Sequence, residues 1–85
     1  MQRSGKRQFN QWQWTELKRK YSYRCLRCGI KEDKEKPSTK LTADHVIPLK
    51  LGGWRGIENI QPLCFKCNLA KGADTTDYRW RKFKN

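Results

Sequence analysis

Four cysteines form two Cys-x-x-Cys units, Cys25-Leu26-Arg27-Cys28 and Cys64-Phe65-Lys66-Cys67. The only histidine, His45, stands between them, directly after Asp44. Each unit can present two thiolates to one ion, so the pair completes the closed tetrahedral shell that Zn²⁺ takes in structural sites. Such a shell has no open position for a substrate. Any catalysis therefore falls to Asp44 and His45 and to whatever the fold brings beside them. Imidazole, with an ordinary pKa near ~6.5, is a neutral base at working pH and the sole candidate for activating water.

The rest of the chain has to position these groups with little apolar material. At 85 residues and 35% hydrophobic content, it suits one small domain whose core alone contributes roughly 3–5 kcal/mol. A structural zinc, whose binding is coupled to folding and is worth roughly 10–16 kcal/mol in small fingers, supplies the missing staple. The competing use of four cysteines, two disulfides in a secreted mini-protein, requires an apolar leader, whereas Met1 to Arg7 is polar and basic. One structural Zn²⁺ and a reducing cytoplasm, that of a bacterial host cell, are the expectation. No stretch has transmembrane length, and no membrane partner is expected.

Twenty Lys and Arg against eight Asp and Glu give a formal charge of +12, which points to a polyanion, DNA or RNA. Basic residues gather at both ends, as Arg3, Lys6 and Arg7 and as Arg79, Arg81, Lys82 and Lys84, the second group alternating with Tyr78, Trp80 and Phe83. Arg79 and Arg81 are accordingly candidates for phosphate contact. The alternative for this tail is a solvated charged surface whose aromatics fold back onto the core.

Three segments result: a basic flexible arm at 1–10, a domain at 11–77 and a basic aromatic tail at 78–85. Trp14, Leu17 and Tyr21 recur at helical spacing behind a cap at Asn10, which predicts a short helix leading into the first cysteine unit. Lys31 to Ser38 is polar and holds a proline, hence a surface loop. Leu41 to Ile47, closed by Pro48, predicts a strand ending at His45 to Ile47, and Gly52, Gly53 and Gly56 predict a loop that displays Trp54 and Arg55. Ile57 to Leu63 reads as extended and enters the second cysteine unit, giving a hairpin. Phe65 to Gly72 predicts a helix with Asn68 and Lys71 on one face. The gap from Cys28 to Cys64 exceeds the roughly 15–20 residues of many simple zinc fingers, and the hairpin fills it. Zinc would pin hairpin to helix and set the His45 strand beside Asn68.

Read in order, Ala43-Asp44-His45-Val46-Ile47-Pro48-Leu49, Gly52-Gly53, Glu58-Asn59-Ile60-Gln61-Pro62-Leu63-Cys64 and Cys67-Asn68-Leu69-Ala70-Lys71 resemble the HNH endonucleases. The resemblance runs from Cys25 to Lys71. It implies a small α+β, treble-clef-like ββα-metal finger stapled by zinc, preceded here by a helix and flanked by basic arms. By position, His45 becomes the general base, Asp44 a metal ligand, and Asn59 the asparagine that braces the loop and orients the histidine. Asn68 stands where a final histidine is usual, as in the HNN variants. With one carboxylate oxygen from Asp44 and one amide oxygen from Asn68, such a site suits Mg²⁺ or Mn²⁺.

The resemblance also implies cleavage of DNA, expected in double-stranded form, to a 3′-hydroxyl and a 5′-phosphate. With one active centre per chain, a monomer is expected to nick and a weak dimer or two encounters to break both strands. The little surface of so small a domain for reading long sites also fits a part in a larger phage or restriction assembly. Arg55, Lys66 and Lys71 are candidates for nearby phosphates, against the default reading of solvated side chains. The alternative is a non-catalytic, zinc-stapled nucleic-acid-binding module. There Asp44 and His45 are hydrogen-bonded structural residues, Asn68 satisfies free N–H groups at a helix start, and Asn59 braces backbone as before.

Overall fold

The computed structural model describes residues 8–83; Arg3, Lys6 and Arg7 of the expected arm, and Lys84, lie outside the described residues. The N-terminal helix α1 spans Gln11–Lys20. Asn10 Oδ1 accepts from the Gln13 N–H at 2.8 Å while Gln13 Oε1 accepts from the Asn10 N–H at 3.0 Å, a reciprocal capping box. Phe9, just outside the cap, meets Trp14 with ring centroids 6.2 Å apart, a hydrophobic staple that fixes how the chain enters the helix. Residues 9 and 10 thus belong to the helix start. Lys18, Arg19 and Lys20 crowd the last turn, where positive charge complements the helix dipole.

The first cysteine unit lies on a tight hairpin closed by a bridge between Arg24 and Lys31. Gly29, with φ at 84°, makes the reversal that a residue bearing a Cβ resists. Its N–H reaches the Cys25 carbonyl at 2.8 Å, and the Leu26 N–H reaches the Pro62 carbonyl at 3.0 Å, which ties this knuckle to the central strand.

Strands β1 (Leu41–His45) and β2 (Ile60–Cys64) pair antiparallel, with Leu41 opposite Cys64, Asp44 opposite Gln61 and His45 opposite Ile60. β2 is buried along its whole length. Pro62 withholds one N–H from the ladder, which a two-stranded ribbon tolerates because each strand has a free edge. Helix α2 (Phe65–Lys71) follows β2 without a linker and stops at Gly72, whose φ of 54° reverses the chain. The element order is therefore helix, strand, strand, helix, a small α+β fold of two helices and a two-stranded sheet.

The core gathers Tyr21, Leu26, Leu41 and Leu63 around Cys25, Cys64 and Cys67, with Trp14, Leu17, Tyr78 and Phe83 packed on it. Tyr78 and Phe83 of the tail are thus laid against the body, as in the alternative weighed above, while Trp80 stays 73% exposed. Glu32 joins α1 to β1, accepting from Lys18 Nζ at 3.0 Å and from the Leu41 N–H at 2.9 Å. β1 ends at His45, within the expected bounds. One element differs from expectation: Ile57–Asn59 is a 3₁₀ turn rather than extended chain, because Asn59 turns inward to bond the backbone at Ile47, which bends the chain there. Among the described residues no helix is long and apolar enough to cross a membrane.

Candidate active site and zinc centre

Cys25 and Cys28 stand on the knuckle, and Cys64 and Cys67 straddle the β2–α2 junction. The four Sγ atoms lie within 4.8 Å of one another, with Cys28 and Cys64 at 3.9 Å. Sulfurs at the corners of a tetrahedral zinc site, each ~2.3 Å from the ion, are about 3.8 Å apart, so the cluster can hold one zinc. All four are free thiols. Burial pushes the Cys25 thiol up, but backbone N–H groups of Cys28, Cys64 and Arg27 outweigh it and bring it to about 7. Cys67 is pushed up to about 12, by burial first and then by its thiol neighbours, against the pull of Arg27. So close a set of thiols resists full ionisation without a cation among them. Arg27 Nη1 donates to Cys67 Sγ at 3.5 Å.

On the other side of the hairpin an open cleft of about 470 Å³ is lined by Asp44, His45, Lys50 and Asn68, among others. β1 delivers the first two, the turn after it Lys50, and α2 Asn68. The cysteine cluster sits where β2 becomes α2, so a zinc held there would fix the helix that carries Asn68 against the strand that carries His45. The zinc cluster and the cleft share no residue.

Asp44 is 5% exposed. Its Oδ2 accepts from Gln61 Nε2 at 2.8 Å and faces Lys71 Nζ at 3.1 Å. Oδ1 has no hydrogen bond among the described residues, and no buried side-chain oxygen lacks a partner, so Oδ1 keeps contact with solvent. Asn68 Nδ2 donates to Thr42 Oγ1 at 2.8 Å. Its amide oxygen is likewise unbonded among the described residues. The cleft therefore offers two hard oxygen donors and an imidazole.

His45 is half-buried. Burial holds its pKa below the usual imidazole value, as do the cations Arg55 and Lys71, while Asp44 pulls the other way. The net direction favours neutral imidazole, the form able to take a proton. Asn59, 1% exposed, clamps the loop that follows. Its Oδ1 accepts from the Ile47 N–H at 3.0 Å, and its Nδ2 donates to the Ile47 and Trp54 carbonyls at 3.0 and 2.9 Å. Gly53 passes so close that a Cβ there would stand 1.7 Å from the Ile47 oxygen and 2.9 Å from Asn59 Nδ2.

Asp44, His45 and Asn68, expected to converge, line one cleft, with Asn59 behind it bracing backbone. Three of the five cations expected at phosphates are placed otherwise. Lys71 is fully buried in its side chain and bonds Asp44 and the carbonyls of His45 and Val46, so it cannot reach a phosphate outside. Arg79 forks onto Asp77 and the Glu58 carbonyl. Arg81 bonds the carbonyls of Leu26 and Arg27, both at 2.9 Å. Arg55 and Lys66 are exposed and free to meet an anion.

Sequence reasoning passed over Gln61. Fully buried, it holds Asp44 with Nε2 and receives the Tyr78 N–H at 2.8 Å with Oε1. Its signal was an amide in an otherwise apolar strand, directly opposite the aspartate.

Comparison with curated proteins and with solved structures gives no match. The family model described as HNH endonuclease matches residues 25–74, more than half the chain and the whole stretch from the first cysteine of the cluster through the cleft. With the cysteine cluster and the Asp44-His45 hairpin inside that span, the chain belongs to the HNH endonuclease family.

Proposed function

We propose that the protein is a divalent-metal-dependent endonuclease that hydrolyses phosphodiester bonds in DNA. The observation that carries this reading is the open cleft lined by Asp44, His45 and Asn68 together, in a chain of net charge +12. Asp44 and Asn68 would hold Mg²⁺ or Mn²⁺, each through one oxygen, a donor set too sparse to fill the shell and one that leaves room for water and phosphate. Such an ion stabilises the charge that develops on the phosphate and the departing oxygen.

The chain's own groups do the rest. Neutral His45 takes the proton from the attacking water at an imidazole nitrogen, and its lowered pKa keeps it ready to do so near neutral pH. Asn59 holds the turn after His45 still, so the imidazole stays within reach of that water. Lys50, Arg55 and Lys66 face solvent and can draw in the phosphate backbone. The chain has one histidine and so one such base. A monomer should therefore nick, and a double-strand break requires a dimer or two encounters. The family likeness adds that the ends left are a 3′-hydroxyl and a 5′-phosphate.

The test is supercoiled plasmid incubated with zinc-loaded protein and Mg²⁺ or Mn²⁺, beside His45→Ala. Nicked circles from the parent and none from the variant are expected. Equal nicking by His45→Ala refutes the assigned base. Salt-sensitive binding with no ion-dependent scission leaves a zinc-stapled nucleic-acid-binding module instead.

A further inference from the structure

Lys71 is the most constrained cation among the described residues that the cleavage chemistry leaves unused. Its side chain is 0% exposed. An ammonium has three hydrogens and no acceptor, and here Nζ stands 3.1 Å from Asp44 Oδ2, 3.2 Å from the His45 carbonyl and 3.3 Å from the Val46 carbonyl. From α2 it thus grips three consecutive residues at the end of β1. Gln61 holds the same carboxylate oxygen from β2. Between them they occupy Oδ2 and leave Oδ1 for the cleft.

The charges matter as much as the bonds. Asp44 is the one acidic residue lining the cleft, and Lys50 also lines it. With Lys71 against Asp44, an approaching divalent cation meets no net negative charge. A buried ammonium is costly to keep unless it is paired and hydrogen-bonded, so the ion pair is held whether or not an ion is present. A phosphodiester brings the missing negative charge with it.

We infer that Lys71 is a positioning residue that restricts Asp44 to one-oxygen ligation and makes tight divalent-ion binding depend on a phosphodiester already in the cleft. This rests on the cleavage function proposed above. It makes the free protein a poor metal binder and the nucleic-acid complex a good one, which confines the assembled catalytic centre to the occupied cleft.

The experiment measures Mn²⁺ affinity by electron paramagnetic resonance on zinc-loaded protein, without nucleic acid and then with a short DNA duplex, with duplex alone as baseline. Lys71→Gln removes the charge and keeps a hydrogen-bond donor; Lys71→Arg keeps the charge. Expected are Mn²⁺ binding about tenfold tighter in nucleic-acid-free Lys71→Gln than in the parent, and parent-like weakness in Lys71→Arg. Duplex should tighten binding to the parent by about tenfold or more and tighten binding to Lys71→Gln less.

Unchanged or weaker Mn²⁺ affinity in a folded Lys71→Gln overturns the inference, as does a parent whose affinity ignores duplex. If Lys71→Gln loses its zinc or its circular-dichroism spectrum, the duplex effect on the parent decides alone. Plasmid cut normally with no such Mn²⁺ pattern sinks this inference only. The Mn²⁺ pattern without plasmid cutting sinks the catalytic reading and leaves the electrostatic role of Lys71.

Discussion

Asn59→Ala removes three hydrogen bonds and leaves their backbone partners in place. The amide now satisfies the Ile47 N–H and the carbonyls of Ile47 and Trp54, at 2.9 to 3.0 Å, from a side chain only 1% exposed. A typical net loss is about 0.5–1.5 kcal/mol per bond, and more where a buried group is left without a partner. Water entering the truncated site recovers part of this, so a destabilisation of about 2–4 kcal/mol follows. For a domain this small the melting temperature of the zinc-loaded protein should fall by roughly 10–25 °C.

The damage should also be local. The Val46 N–H still bonds the Asn59 backbone carbonyl at 2.8 Å, a contact the substitution spares, so the hairpin stays closed while the turn from Ile47 to Trp54 loosens. Hydrogen exchange should show lost protection at the Ile47 amide and retained protection in β2. A melting shift under about 3 °C together with unchanged Ile47 protection would refute the clamp.

Gly53→Ala should disturb the same turn while Asn59 is kept, because its Cβ would fall 1.7 Å from the Ile47 oxygen and 2.9 Å from Asn59 Nδ2; thermal melting should show a loss comparable to Asn59→Ala, and a neutral result contradicts the close approach. His45 sets a pH window. Its folded pKa lies below the ordinary value, so between the two values the unfolded chain binds the proton first, and stability is full above about 6.5 and declines as pH falls below it. The acid limb of kcat/KM should likewise have its midpoint below about 6.5, and Arg55→Ala, which removes a cation that lowers this pKa, should move it upward. Arg81→Ala should lower stability by about 1–2 kcal/mol through the Leu26 and Arg27 carbonyls it leaves, whereas Lys66→Ala should spare stability and reduce the salt dependence of DNA binding by about one ion. Stripping zinc with a strong chelator should abolish the folded spectrum, and equal helicity in the zinc-free chain contradicts the staple.

Much of the frame could be read from local chemistry. Asn10 announces a capped helix, Gly72 stops α2 where a left-handed residue is needed, and the two cysteine units bracket a hairpin. Features set by tertiary packing were out of reach. Nothing in Ile57-Glu58-Asn59 separates a 3₁₀ turn from a strand until Asn59 is seen turning in to grip Ile47. A lysine at the end of a helix reads as a solvated cation; only the partner at Asp44, far away in the chain, draws Lys71 inside. Arg79 and Arg81 carry the charge expected of phosphate contacts, but the carbonyls they meet belong to loops whose positions local pattern does not specify.

The account turns on two separate ion positions in one small chain, a thiolate one that staples and an oxygen one that works. Anomalous diffraction from crystals of the zinc-loaded His45→Ala protein grown with Mn²⁺ and a short duplex measures this directly. A zinc signal among Cys25, Cys28, Cys64 and Cys67 and a manganese signal bridging Asp44, Asn68 and a phosphate are predicted. Manganese absent from that cleft, or lodged elsewhere while the duplex occupies it, contradicts the account.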